Sequence, residues 1–375
     1  MSWSSIVGQE RVKSLLRHTL QSGQIAHAYL FYGPEGIGKD ALAVEFAKTL
    51  ICIQGKCEAC GVCLNCQRVD SLQHPNIKLV FALPVGKNET TGDDPINVLT
   101  EAQVAEVREQ IRTKAKDPYK HIEIAKANFI KINSVRDIKR EAAMSRIEDG
   151  KKIIIIFNVE MMNNEASNSL LKTLEEPLPG TILLLTTSAK EQLLPTIISR
   201  CQLIQCDLLS DAEIETALIT RDSVDESNAR LVAQLAHGSY SNARRLSSQN
   251  MAEERKDVVE FMRLVLGNRK TALIDAIDEL ASSSDRPGIE QWLKLLQAWL
   301  RDALLIQHHA YAPLLEDEKQ SMESFVKNFR QANLIAAVQS VEKAIAHLDK
   351  NVYLHLILTM LAIDLRKNIT EAPSV

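Results

Sequence analysis

Gly33-Pro34-Glu35-Gly36-Ile37-Gly38-Lys39 fits the seven positions GxxxxGK, and this run constrains the chain more than any other. It follows the apolar run Ala28–Tyr32, which reads as a buried strand. It precedes Ala41–Leu50, which reads as a helix. A glycine-rich turn between a strand and a helix lets backbone N–H groups face a phosphate, and the helix N-terminus adds positive potential. Gly33, Gly36, Gly38 and Lys39 are thus candidate nucleotide contacts, with Lys39 reaching the outer phosphates and ATP or ADP as the ligand.

The next position should carry a Ser or Thr hydroxyl for Mg²⁺, and here it is Asp40. A carboxylate can touch a magnesium ion, but it also brings negative charge towards the phosphates. The second half of an ATPase site is altered too. The apolar run Ile153–Phe157 should end in a metal-binding Asp followed by Glu, and the residues present are Asn158, Val159 and Glu160. Two losses in one site argue against hydrolysis. They leave two readings, nucleotide binding alone or a loop kept as a rigid turn.

Strand-like runs at Ala28–Tyr32, Ile153–Phe157 and Thr181–Thr187 are each followed by a helical pattern, the mark of a parallel sheet wrapped by helices. Asn133 and Ser134 read as caps of a helix through Val135, Ile138 and Ala142. Pro84–Pro95 is polar and reads as an exposed loop. From Ser210 the pattern is helical. Ser210-x-x-Glu213 forms a capping box, and Asp225–Ala236 and Ser241–Ser248 read as further helices. Breaks fall at Gly267-Asn268, between Ser282 and Gly288, and near Pro313. Leu293, Leu296, Leu300, Leu304 and Leu305 mark one apolar face, and Leu334, Val338, Val341, Ile345 and Leu348 another. The expected division is an α/β nucleotide-binding domain over 1–207, a helical lid over 208–250, a helical collar over 251–368 and a tail over 369–375.

Five of the seven cysteines lie between Cys52 and Cys66. Such clustering in a reducing compartment favours a metal site over disulfides. Cys60-x₂-Cys63-x₂-Cys66 supplies three thiolates, and Cys52 and Cys57 are both candidates for a fourth. Zinc and an iron–sulfur cluster both suit the spacing. Cys201 and Cys206 read as buried small hydrophobes beside a strand. The net charge of −4 provides no global field for nucleic acid. No apolar run approaches the roughly 20 residues needed to span a bilayer. Met1–Gln9 lacks the basic-then-apolar pattern of a secretory signal, and a cytoplasmic location without membrane contact is the expectation.

Several further motifs fall in one order. Val7-Gly8-Gln9, His27-Ala28-Tyr29-Leu30-Phe31, the Cys60–Cys66 run, His74-Pro75, Asn168-Ser-Leu-Leu-Lys-Thr-Leu-Glu-Glu-Pro177 and Ser199-Arg200-Cys201 follow one another along the chain. Together they resemble the AAA+ subunits of the bacterial DNA polymerase III clamp loader. The close motifs cover residues 5 to about 205, and beyond them only the helical pattern and Gly238-Ser239 agree.

The resemblance implies a three-domain AAA+ subunit of a hetero-pentamer with gamma/tau and delta subunits, placing a sliding clamp on primed DNA. Within the family the delta-prime type has decayed nucleotide motifs, as here, whereas the gamma/tau type is the hydrolysing motor and the alternative reading. It implies a structural Zn²⁺ with Cys52 joining Cys60, Cys63 and Cys66, because the family's fourth ligand lies several residues earlier. It also implies that Arg200 acts as an arginine finger on a neighbour's ATP, where a planar guanidinium suits the spreading γ-phosphate charge. The family's second-sensor arginine aligns with Ser241, one turn before Arg244 and Arg245, and Thr187 or Ser188 fits its first-sensor position.

Overall fold

The computed structural model describes residues 2–55, 57–86, 89–143, 150–177, 179–247, 251–283, 286–310, 319–350 and 352–370. By internal contacts the chain forms two compact units. The first comprises Met1–Ser223 and Ala236–Arg244, and the second Val224–Leu235 and Arg245–Val375.

The first unit is built in the order α1 (Glu10–Ser22), β1 (Ala28–Tyr32), α2 (Lys39–Ile51), α3 (Leu64–Asp70), β2 (Ile77–Val80), α4 (Glu101–Lys116), α5 (Ile132–Ala143), β3 (Lys152–Ile156), α6 (Asn164–Glu175), β4 (Thr181–Thr187), α7 (Pro195–Ile198), β5 (Gln202–Gln205) and α8 (Asp211–Asp222). Its five strands form one sheet in the order β2-β3-β4-β1-β5, with every pairing parallel. The expected α/β sheet wrapped by helices is therefore present. β3 and β4 are buried along their whole length, which is why both read as uninterrupted apolar runs. Leu30, Ile154, Ile156, Leu183 and Leu185 meet Ile138 of α5 and Leu170 of α6 in one core. Burying each such side chain contributes about 1.5–3 kcal/mol.

Two local expectations are corrected. Asn133 and Ser134 lie inside the first turn of α5, which begins at Ile132. Asn133 instead holds the 84–95 segment: its Nδ2 donates to Glu89 Oε1 at 3.0 Å and its Oδ1 accepts from Gly92 N–H at 2.9 Å. That segment is not simply exposed. Pro84, Gly86 and Pro95 are buried, and Glu89 meets the buried Lys131 ammonium at 2.7 Å. A buried ammonium needs such a carboxylate, and this draws the loop inward.

The second unit is helical. It contains α9 (Glu226–Leu235), the last residues of α10 (Tyr240–Ser247), α11 (Met251–Leu266), α12 (Lys270–Ser283), α13 (Arg286–Gln307), α14 (Lys319–Asn328), α15 (Leu334–Asp349) and α16 (Leu354–Thr370). The Phe261 and Trp292 rings meet edge to face at 4.9 Å, as do Trp299 and Phe325 at 5.0 Å. The break at Gly267-Asn268 falls as expected; of the expected break between Ser282 and Gly288, both ends are helical and residues 284–285 lie outside the described residues, as does Pro313. α16 runs to Thr370 with Ile369 buried, so the expected tail loses its first two residues, and 371–375 lie outside the described residues. No helix among the described residues is long and apolar enough to cross a membrane.

Candidate functional site

The glycine loop connects β1 to α2, as its spacing requires. Gly36 and Gly38 have φ of +76° and +101°, which side chains rarely adopt. A Cβ on Gly36 would also lie 2.1 Å from Ser239 Oγ, and one on Gly38 would lie 3.1 Å from Tyr119 Oη. The loop is thus wrapped closely by the chain itself. Tyr119 Oη accepts from Val7 N–H at 2.8 Å, Ser241 Oγ donates to Tyr119 O at 3.0 Å, and Ser241 N–H donates to Gly36 O at 3.2 Å. Glu35 Oε1 and His121 Nε2 lie 3.1 Å apart, and the closeness of His121 holds the Glu35 carboxyl below its ordinary range. The cavity left among Gly36, Gly38, Lys39, Asp40, Tyr119 and His121 is about 20 Å³, room for about one water molecule.

Lys39 is buried and its Nζ donates to Pro34 O at 2.5 Å, inside the loop it was expected to extend from. Burial lowers its pKa, against the raising effect of Asp40, Glu160 and Glu35. Asp40 is buried as well. Its Oδ2 meets Lys114 Nζ at 2.5 Å and its Oδ1 accepts from Thr186 Oγ1 at 2.8 Å. Burial alone would raise the Asp40 pKa, but the Lys114 charge and these two hydrogen bonds hold it below the ordinary value. Asn158 follows β3 in the left-handed region, φ +51°, and its N–H donates to Thr186 Oγ1 at 3.3 Å. Glu160 is turned to Ser188, whose N–H it accepts at 2.9 Å.

Two residues here were missed by sequence reasoning. Lys114 lies on α4, and the signal for that helix was the Thr100-x-x-Gln103 capping box, which the structure forms in full. Thr186, rather than Thr187, turns its hydroxyl to Asp40, while Thr187 Oγ1 accepts from Ala189 N–H. Arg244 is committed to two carboxylates, Asp117 and, at 3.0 Å, Asp222.

The cysteines form a second site. The sulfurs of Cys52, Cys60, Cys63 and Cys66 all lie within 4.8 Å of one another, and those of Cys60 and Cys66 are 3.9 Å apart. Four sulfurs about 2.3 Å from a tetrahedral ion would be about 3.8 Å apart, so the cluster fits a metal ion. Cys52 is the C-cap residue of α2, and Cys63 is the N-cap of α3 and accepts from Cys66 N–H. Cys52 Sγ accepts from Gly55 N–H at 3.1 Å and Cys60 N–H at 3.3 Å, and Cys60 Sγ from Cys63 N–H at 3.3 Å. Burial would raise the Cys52 thiol, but these donors bring it below its ordinary value. Burial pushes the Cys66 thiol up, and a divalent cation is what would ionise it beside three other sulfurs. Cys57 is outside the group.

Arg200 stands just past α7. Its Nη1 donates to Thr196 O at 3.0 Å and its Nη2 to Glu175 Oε1, the last residue of α6, at 2.8 Å. About a third of its side chain is exposed.

Residues 8–209, more than half of the chain, match the family model described as DNA polymerase III, delta subunit. The chain is 28% identical to DNA polymerase III subunit delta' of Bacillus subtilis over 92% of both chains. It is 34% identical to DNA polymerase III subunit delta' of Pseudomonas aeruginosa over 65% of this chain and 62% of that one. It is also 29% identical to DNA polymerase III subunit tau of Escherichia coli, over 67% of this chain and 33% of that one.

Proposed function

We propose a function from one premise: this chain belongs to the DNA polymerase III delta-subunit family. Within it the chain acts as a delta-prime-type subunit of the clamp loader. It helps to place the sliding clamp on primed DNA without hydrolysing ATP itself. The observation that carries this reading is the likeness to a delta' subunit along 92% of both chains. The site chemistry agrees with it. A P-loop ATPase needs a hydroxyl and a carboxylate around its magnesium ion, and this chain offers Asp40, already paired with Lys114, and the neutral Asn158. The hydrolysing gamma/tau-type reading has the intact glycine loop and the tau likeness in its favour, but that likeness spans a third of the tau chain.

In this reading gamma/tau and delta subunits are the partners in a cytoplasmic hetero-pentamer. Residues 208–250 serve as a lid and 251–368 as a collar that assembles with them. The collar's α16 offers a ready surface. Leu356, Met360 and Ile363, spaced along one side of the helix, are each more than half exposed. Arg200 acts in trans, delivering its guanidinium to the γ-phosphate held by a neighbouring subunit. Zn²⁺ bound by Cys52, Cys60, Cys63 and Cys66 is structural, since four protein sulfurs fill a tetrahedral shell.

The test is reconstitution with gamma/tau-type and delta-type subunits and the clamp of the same organism. We expect a stable hetero-oligomer that loads clamps, while the isolated chain hydrolyses ATP no faster than Lys39→Ala. Lys39-dependent turnover by the isolated chain with DNA present would establish the motor reading instead.

A further inference from the structure

The residues around Asp40 do not fit the magnesium–nucleotide that a P-loop implies, and the misfit has a specific form. In a working P-loop site the metal lies between the eighth residue of the loop and the end of the strand that corresponds here to β3. Lys114 Nζ meets Asp40 at that eighth position and lies 5.1 Å from the centroid of Phe157, the residue that ends the β3 run. Its side chain is 2% exposed. Thr186 completes the shell around Asp40 from β4.

We propose that this chain carries its own replacement for the magnesium ion: the Lys114 ammonium occupies the cation position, and the segment from α4 to His121 closes the loop to nucleotide. Three contacts make that segment an occupant rather than a neighbour. Lys114 neutralises the carboxylate that stands at the metal position of the loop. Tyr119 stands over Gly38, whose N-terminal turn would otherwise face a phosphate. His121 pairs with Glu35 across the loop.

The substitution is chemically coherent. Mg²⁺ demands about six oxygen ligands at 2.0–2.1 Å in octahedral array. Around that position stand Asp40, already in an ion pair, the Thr186 hydroxyl and the neutral Asn158, while Glu160 is turned to Ser188 N–H. A divalent ion placed there would also meet the Lys114 charge at close range. An ammonium has the right sign and hydrogen-bond donors, and it is part of the chain. The glycine loop then works as a permanent clasp that fastens α4 to the sheet. This inference goes beyond the clamp-loader reading and does not rest on it, because it concerns the isolated chain.

The experiment measures thermal unfolding of the full chain with and without Mg²⁺ alone, and with Mg²⁺ plus ATP, at millimolar concentrations. The wild-type Tm should not move with either addition. Lys114→Met vacates the position and leaves Asp40 charged, so Mg²⁺ alone should raise the Tm of that variant by about 2 °C or more. Asp40→Asn/Lys114→Met, which removes both charges, should fold and lose the response. A Tm rise of the wild type with Mg²⁺ and ATP would overturn the proposal, and that arm needs no variant to fold. A Lys114→Met protein indifferent to Mg²⁺ would equally overturn it, showing that the ammonium does not mark a cation position.

Discussion

Arg200 Nη2 and Glu175 Oε1 lie 2.8 Å apart, tying the segment after α7 to the end of α6. Both side chains are substantially exposed, at 34% and 49%, which decides how the pair should be valued. Exposed ion pairs contribute about 0–1 kcal/mol. The pair therefore holds the guanidinium in place weakly and can release it to a stronger anion. Arg200→Ala and Glu175→Ala should each change the unfolding free energy of the isolated chain by about 1 kcal/mol or less. Denaturant titration checks this. A loss several times larger would make the arginine a structural member of the α/β unit.

Asp40 and Lys114 form the opposite kind of pair, buried on both sides. Removing one partner of a buried pair leaves an uncompensated charge, at a cost of about 3–5 kcal/mol. Lys114→Ala should be destabilised by that amount in denaturant titration without added divalent cation. The neutral double variant Asp40→Asn/Lys114→Met should recover most of the loss.

The same carboxylate sets an acid dependence. Its folded pKa lies below the ordinary 3.8, mainly because Lys114 outweighs the raising effect of burial. The unfolded chain then binds the proton more readily than the folded one. The stabilisation is fully present above about pH 4 and is lost as the pH falls through the lower folded value. The stability advantage of wild type over Asp40→Asn should accordingly shrink below that pH. Unfolding curves at stepped pH measure the difference.

The cysteine cluster yields a ligand test. Purified protein should carry one zinc per chain. Cys52→Ser, Cys60→Ser, Cys63→Ser and Cys66→Ser should each lose it and lower the Tm of the α/β unit, whereas Cys57→Ser should keep it. Elemental analysis decides both metal and ligands: iron in the wild type would change the metal, and full zinc in Cys52→Ser would remove that residue from the set.

The exposed stripe on α16 separates assembly from folding. Met360→Glu/Ile363→Glu should leave the isolated chain within about 0.5 kcal/mol per site, as surface changes do. It should prevent co-elution with partner subunits, because two carboxylates would be buried in an apolar contact. Normal co-elution would place the assembly surface elsewhere.

The interior of the sheet was legible in the sequence because β3 and β4, buried on both faces, are written in consecutive Ile and Leu. β2 and β5 were not. They are four-residue edge strands, and Gln202–Gln205 is half polar because one side meets solvent. The glycine loop and the cysteine run were visible because their chemistry is local. Lys114 was invisible because its partner is 74 residues away, and nothing around a helical lysine announces an ion pair at that distance. Glu89 and Lys131 pair across 42 residues in the same way, which is how a polar stretch that read as exposed came to be drawn inward.

The finger proposed for Arg200 is tested most directly by DNA-stimulated ATP hydrolysis in the reconstituted complex carrying Arg200→Ala. An arginine finger is worth about 10³-fold or more at the site it serves, while the remaining sites keep turning over. The expected result is normal assembly, a partial fall in total ATPase, a deeper fall in clamp loading, and little rescue by Arg200→Lys, whose ammonium lacks the planar fork. Wild-type rates of hydrolysis and loading in the Arg200→Ala complex would contradict the finger and leave Arg200 as the surface partner of Glu175.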